Sequence, residues 1–286
     1  MKNKSLSFWL FLTPTLVALA LVVFIPMLEG LFYSFTDWDG LSFTKVVGFK
    51  NYMALLQDKA FGNAFWFTVA FVIVTVILLN VIGLGLALLV TQKFKGNNFL
   101  RAIFFMPNMI GGLILGFIWQ FIFTQGFSAL GSALHMTAFQ NWLTNSLTGF
   151  WGLVIVTVWQ MSGYIMIIYI AYLQNIPSEV IEAAEIDGAS AWQRFTRITF
   201  PMIAPAFTLC MYLTLTNVFK IFDQNLSLTN GGPYNSTQML AMDIVNTAYN
   251  SSDFALAEAK AMVFFLIVAA ISLVQVFYNR KREGDF

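Results

Sequence analysis

The sequence predicts an all-α polytopic membrane protein with six transmembrane helices. Hydrophobic residues make up 58% of its 286 positions and charged residues only 10%, where soluble domains carry about 25% charge. The mean hydropathy is +0.73, so lipid must solvate most of the surface. Apolar segments of about 20 residues recur along the chain, each long enough to cross a hydrocarbon core.

The first segment, 8–33, follows Lys2 and Lys4 and superficially has the form of a signal peptide. Its apolar part is too long for such a peptide and no small-residue cleavage site ends it, so it reads as a retained span. The second, 64–91, carries Gly83 and Gly85, and the third, 102–123, carries Gly111, Gly112 and Gly116; these small faces suit close helix approach. The fourth, 149–173, is uniformly apolar apart from a few polar groups. Polar residues enter the outer end of the fifth, 201–221, and the sixth covers 260–279. Pro14, Pro26, Pro107 and Pro205 lie in or near these runs, where each removes a helical hydrogen bond and favours a kink. With no fixed-period repeat and no low-complexity linker, residues 1–286 read as one transmembrane domain.

Orientation follows from the fifteen basic residues, which concentrate in cytoplasmic loops. With the N-terminus inside, ten fall on the inner side: Lys2, Lys4, Lys93, Lys95, Arg101, Arg194, Arg197, Arg280, Lys281 and Arg282. Lys45, Lys50, Lys59, Lys220 and Lys260 fall outside, so both termini are predicted cytoplasmic.

Several functions are excluded or disfavoured at this level. Net charge is +1 with dispersed basic residues, which gives no track for a nucleic acid backbone. Cys210 is the only cysteine and His135 the only histidine, which rules out an intrachain disulfide and a Cys- or His-built metal site. Cys210 reads as a small buried apolar residue and His135 as a solvated loop residue. No GxxxxGK[ST] phosphate loop is present, so any ATP hydrolysis belongs to another chain.

The segment between the fourth and fifth spans, LQNIPSEVIEAAEIDGASAWQRFTRITFPMIAP, carries the strongest signal. Pro177 suits a first helical turn and Gly188 a C-terminal cap. Ile176, Val180, Ile181, Ala183 and Ala184 give this short helix an apolar side, while Glu179, Glu182 and Glu185 point to water or a partner. A second short helix, 191–199, leads into the next span at Pro201.

Glu182, Ala183, Ala184, Asp187, Gly188, Ile198 and Pro201 resemble the EAA loop of ABC importer permeases. The segments VFKIFDQNLSLTNGGPYNSTQML and VGFKNYMALLQDKAFGNAFW resemble carbohydrate permeases of the larger maltose and glycerol phosphate type. The resemblance implies a type I ABC importer permease fold in the bacterial inner membrane. It implies that Glu182, Ala183, Ala184, Asp187 and Gly188 form a coupling helix docked on an ATPase. It further implies a heterodimer with a sister permease, two cytoplasmic ATPase subunits holding ATP and Mg, and an extracytoplasmic sugar-binding protein. No cofactor is expected on this chain. The extra spans and large outer domain of the larger maltose permease are absent here.

Thr157, Gln160 and Tyr164 fall at i, i+3 and i+7 on the fourth span, and Thr214 and Asn217 share a face of the fifth. Polar rows on two spans suggest a hydrated path suited to a neutral polyol, or else interhelical hydrogen bonds that hold the bundle. Counting from the EAA glutamate, the resemblance implies that these positions contact sugar. Met161, Val218 and Ile221 lie on the same faces and depart from the family's polar pattern. Lys220, Asp223, Gln224 and Asn225 cluster just beyond the fifth span, as a gate at the outer mouth or as an ordinary solvated cluster. A permease for sugars or similar polyols is the leading expectation. The alternatives are a permease for glycerol phosphate or another polar solute, an ion-coupled carrier, and a membrane scaffold.

Overall fold

The structure, a computed structural model, describes residues 2–92 and 95–283. Lys93, counted above with the inner basic residues, lies outside them, as do the side chains of Lys2, Lys4, Arg280, Lys281 and Arg282. In chain order the helices are α1 (Phe8–Tyr33), α2 (Lys50–Gln57), α3 (Lys59–Thr91), α4 (Asn97–Phe105), α5 (Gly112–Ala133), α6 (Ser146–Leu173) and α7 (Ser178–Ile186). There follow α8 (Ala191–Met202), α9 (Ala204–Phe219), α10 (Asp223–Leu228), α11 (Leu240–Tyr249) and α12 (Phe254–Glu283). Among the described residues the only bridge is an isolated antiparallel one between Thr36 and Val46. Five helices (α1, α3, α5, α6 and α12) are long and apolar enough to cross a membrane, and the bent pair α8–α9 makes a sixth if taken as one span.

The third and fifth apolar runs are not continuous helices. The expected span 102–123 breaks after α4 into a 3-10 turn at Met106–Met109, and Ile110 and Gly111 are extended, with ψ of 126° and 141°. Pro107 supplies the reason: it has no N–H to continue the helix and it is buried in the break. The apolar stretch that qualifies as a span is instead Gly112–Ala133. Between α8 and α9 the chain turns by 68° at Ile203, just ahead of Pro205. A π-helical turn at Ala20–Phe24 likewise precedes Pro26 in α1.

The chain divides into two compact units, one taking in the chain through Gly62 with Asp243–Ile267, the other Asn63–Met242 with the chain from Val268. In the first unit the loop after α1 is organised by Asp37. Its carboxylate accepts the Thr44 hydroxyl at 2.5 Å and the amides of Thr44 and Lys45, each at 2.9 Å. Those bonds, the Thr44 hydroxyl's above all, hold Asp37 at about 2. Asn51 on α2 donates to the carbonyls of Ser34 and Thr36, both at 2.9 Å.

Helix α12 starts at Phe254, ahead of the expected 260, and Asp253 caps it by accepting the Leu256 amide at 3.1 Å. Lys260, assigned above to the outer water, is therefore inside the helix and only 2% exposed. Its ammonium donates to Asp58 Oδ2 and Asp243 Oδ2 at 2.7 Å each and to Thr247 Oγ1 at 2.8 Å. Neutralisation by two carboxylates is what lets a cation enter an apolar helix.

In the second unit α6 is the central element, with 14 of its 28 residues buried. Ile165, Met166, Tyr169 and Ile170 of α6 pack with Ala87 and Val90 of α3, Ile203, and Ala206 and Cys210 of α9. Cys210 is thus the buried apolar residue expected of it. Small residues set these approaches, since lipid offers no hydrophobic drive between helices. A Cβ on Gly83 would stand 2.6 Å from Ile165, and one on Gly116 would overlap the Ser227 hydroxyl. Gly163, which the sequence reading passed over, lies directly against the Phe104 carbonyl, whereas Gly85 and Gly111 face open space. Asn80 closes a buried network, donating to Thr214 Oγ1 at 3.2 Å and accepting the Tyr169 hydroxyl at 2.8 Å.

Candidate functional site

The 3-10 turn at Met106–Met109 and the turn at 220–222 after α9 border a polar cavity of about 480 Å³. The buried face of α6 sends Gln160 and Tyr164 into it from successive turns, and the last turn of α9 sends Asn217. Asn108 enters from the 3-10 turn and Gln224 from α10, with Lys220 and Asp223 at the same wall. Four carboxamides and a phenol supply hydrogen-bond donors and acceptors, and Lys220 and Asp223 cancel in formal charge.

Gln160 is the best-held member. Its Nε2 donates to the Ile110 carbonyl at 2.9 Å and its Oε1 accepts Gln224 Nε2 at 2.7 Å. The Ile110 carbonyl is available because the break at Pro107 frees it from a helical ladder.

Of the five residues expected on the substrate faces, the fold gathers Gln160, Tyr164 and Asn217 into the cavity. Thr157 and Thr214 stand outside its lining. Thr157 is fully buried, and its hydroxyl finds no hydrogen-bond partner among the described residues. Thr214 belongs to the Asn80–Tyr169 network and also donates to the Cys210 carbonyl at 2.7 Å. Asn108 was missed; Pro107 beside it and the Gly111-Gly112 pair are breaker signals that could have found it.

The cluster after α9 separates by burial, which corrects a uniformly solvated reading. Lys220 and Asp223 are exposed, but Asn225 is fully buried. It donates to the Thr237 carbonyl at 2.8 Å and to Thr229 Oγ1 at 3.1 Å, and accepts the Met239 amide at 3.0 Å. Those bonds pin the Gly231-Gly232-Pro233 turn, where Thr237 Oγ1 donates to Gly232 at 2.7 Å.

The EAA segment folds as two helices with a defined joint. Helix α7 starts after Pro177 and ends in a Schellman motif, with the Ala189 amide on the Ala184 carbonyl at 2.9 Å and the Gly188 amide on Glu185 at 3.1 Å. Gly188 has φ of +78°, a left-handed conformation that glycine adopts at no steric cost. A capping box between Ser190 and Gln193 then restarts the chain as α8, and Arg194 donates to Glu185 across the joint. Glu182, Ala183, Asp187 and Gly188 are exposed, while Ala184 packs inward. Ile186 and Trp192 project apolar surface from the same joint, at 86% and 72% exposure. Of the apolar side expected on Ile176, Val180, Ile181, Ala183 and Ala184, Ile176 and Ala184 pack inward and Ile181 is half-buried, while Val180 and Ala183 are exposed. Among the described residues no group of His, Cys, Asp and Glu could hold a metal ion.

Comparison with known proteins gives the family. Residues 80–283 match the family model described as binding-protein-dependent transport system inner membrane component. The chain is 51% identical to a probable starch degradation products transport system permease protein of Thermoanaerobacterium thermosulfurigenes, over 97% of this chain and 95% of the relative. It is 34% identical to a multiple sugar-binding transport system permease protein of Streptococcus mutans, over 96% of each. A crystal structure of a bacterial alginate ABC transporter in complex with an alginate pentasaccharide-bound periplasmic protein shares the fold, with a TM-score of 0.85, 19% identity and coverage of 98% of this chain and 96% of that one. A helical multi-pass chain with an EAA joint, matched in this way over nearly its whole length, belongs to the family of inner membrane components of binding-protein-dependent transport systems.

Proposed function

We propose that this chain is the permease subunit of an ATP-driven importer of sugars or similar neutral polyols, and that the α6–α9 cavity is its substrate path. The observation that carries the reading is the convergence of Gln160, Tyr164 and Asn217 from two apolar helices on one polar cavity. Polar groups in a lipid-facing chain are costly unless they serve a partner or a path. The names of the sugar permeases it resembles point the same way. Balanced charge at Lys220 and Asp223 favours a neutral solute over a phosphate, which calls for several cations.

The α8–α9 pair is counted as one bent span, giving six spans, cytoplasmic termini and a single permease domain. The α7 joint then faces the cytoplasm. There Glu182, Ala183, Ala184, Asp187 and Gly188 dock on one of two ATPase subunits that bind ATP and Mg. A sister permease completes the pathway and a sugar-loaded binding protein docks outside. Closure of the ATPases turns the coupling helices and opens the cavity outward; hydrolysis restores the inward state. Thr157 and Thr214 support the helix faces from behind the cavity.

The test is sugar uptake by the complete importer in vesicles, with Gln160→Ala and Asn217→Ala measured beside the unaltered protein. Each substitution removes one neutral hydrogen-bonding group, so the apparent affinity for sugar falls about tenfold while assembly with the ATPase persists. Unchanged uptake in both variants refutes the cavity as the path.

A further inference from the structure

We infer that the turn between α10 and α11 is a docking knob for the extracytoplasmic binding protein, with the Tyr234 ring seated in an apolar pocket of that partner. The inference rests on the reading of this chain as an importer permease, in whose orientation the turn faces the outer water, and it adds the place where the partner is gripped. Four residues of the turn hold left-handed backbone: Asn230 at φ +47°, Gly231 at +73°, Tyr234 at +52° and Asn235 at +60°. Asparagine and glycine are at home in that conformation, which a bulky side chain adopts only under constraint. Tyr234 is thus the one left-handed position where the turn departs from its own chemistry. Nothing inside the chain offsets the departure: the residue is 103% exposed, and among the described residues its side chain has neither a hydrogen bond nor a ring contact. A local rule broken without local benefit points to a use outside the chain.

The turn that presents this ring is rigid. The Gly232 amide donates to the Thr229 carbonyl at 2.8 Å, the Thr237 amide to Gly231 at 3.0 Å and the Ser236 amide to Pro233 at 2.9 Å. Both ends enter the packed second unit. Leu228 and Thr237 are buried, a Cβ on Gly149 of α6 would stand 2.8 Å from the Thr237 methyl, and the Leu240 amide donates to Thr68 Oγ1 of α3 at 3.0 Å. With Asn225 bonded to Thr237 and Met239, the chain passes from full burial at Thr237 to full exposure at Tyr234 within three residues. Such preorganisation favours a folded partner over lipid. A headgroup layer is fluid and accepts an aromatic ring from any flexible tether, whereas docking on a folded surface loses less freedom when the ring is already held in place. Tyrosine suits the task, since two torsions fix a large ring whose hydroxyl can still bond at the far end. The matching surface is an apolar pocket with a hydrogen-bonding group at its base.

The experiment uses the complete importer in vesicles, with ATP hydrolysis followed against the concentration of sugar-loaded binding protein. Tyr234→Asn removes the ring and supplies the residue type that holds the same backbone at positions 230 and 235, so the turn survives. It is expected to raise the half-saturating concentration about thirtyfold, the loss typical of a truncated interface anchor, while the rate at saturation holds. Tyr234→Phe keeps the ring and is expected to shift that concentration by less than about fivefold. An unchanged half-saturating concentration in Tyr234→Asn overturns the docking knob, as does a fall in folded yield without a shift, the mark of a ring anchored in lipid. A shift in Tyr234→Phe as large as that in Tyr234→Asn overturns the apolar seat. The importer reading is judged apart: if loaded binding protein fails to stimulate the unaltered complex, that reading falls and the docking site with it, whereas equal stimulation of the unaltered and Tyr234→Asn complexes at every concentration removes the docking site alone.

Discussion

Replacing Lys260 with methionine is expected to destabilise the first unit by about 3–5 kcal/mol, the cost of removing one partner from a buried ion pair. The magnitude rests on burial: Lys260 is 2% exposed, the Asp243 side chain 4%, and each nearest oxygen lies 2.7 Å from the ammonium. Methionine fills the volume of the lysine stem, so little of the loss comes from a cavity. Asp243 bears most of it, because its carboxylate stays buried without its cation. Asp58 bears less. It is 23% exposed, and it keeps the amides of Ala60 at 2.8 Å and Phe61 at 3.3 Å. Burial raises the Asp58 pKa, but the Lys260 bond and charge with those amides hold it below the ordinary carboxylate value. Unfolding of the purified permease in detergent, followed by denaturant titration, measures the change. Adding Asp243→Asn to Lys260→Met removes the stranded charge and is expected to recover more than half of the loss. A loss below about 1 kcal/mol for Lys260→Met, or a double variant no more stable than the single one, refutes the electrostatic account.

Two other outcomes test local packing and the ordered loop. Gly163→Ala puts a methyl into the Phe104 carbonyl, a backbone atom that cannot swing aside, so folded yield and unfolding stability fall by about 1–3 kcal/mol; Gly85→Ala, in open space on α3, holds or gains stability. Asp37 titrates at about 2 against an ordinary 3.8, so its contribution to the loop is complete above the ordinary value and is lost as pH falls through about 2. Trp38, stacked on Tyr33 at 4.5 Å, reports the change: its emission, obtained by difference from Trp38→Phe, holds at pH 5 and moves between pH 4 and 2. Asp37→Asn abolishes that transition if the carboxylate is its source.

Much of the fold was legible because a bilayer allows few solutions. Apolar length alone located α1, α3 and α6, and the Pro177 to Gly188 frame located α7 with its left-handed cap. The errors share a cause. Hydropathy measures how apolar a stretch is and says nothing about whether its backbone is continuous, so Met106–Gly111 vanished into an apparent span. Nor does it see partners distant in sequence: Lys260 read as a water-side charge because Asp58 and Asp243 become its neighbours only in the folded unit. Periodicity found Gln160, Tyr164 and Asn217 on regular helix faces. It assigned the same standing to Thr157 and Thr214, since a shared face does not fix depth.

What periodicity missed has a consistent location. Asn108 sits in the broken third run and Gln224 just beyond the end of α9. A continuous membrane helix spends every backbone group on itself and can offer a solute only side chains. A broken one releases carbonyls and amides at membrane depth, which is tolerated where protein or a hydrated cavity satisfies them. Ile110 illustrates the exchange: the break at Pro107 frees its carbonyl, Gln160 occupies it, and the other end of Gln160 is thereby aimed at Gln224 and the cavity. Pro107 therefore acts on the site without touching it. Gly163 allows this arrangement by admitting the Phe104 backbone against α6, one turn from Gln160, so the closest helix approach and the polar cavity are two results of the same break.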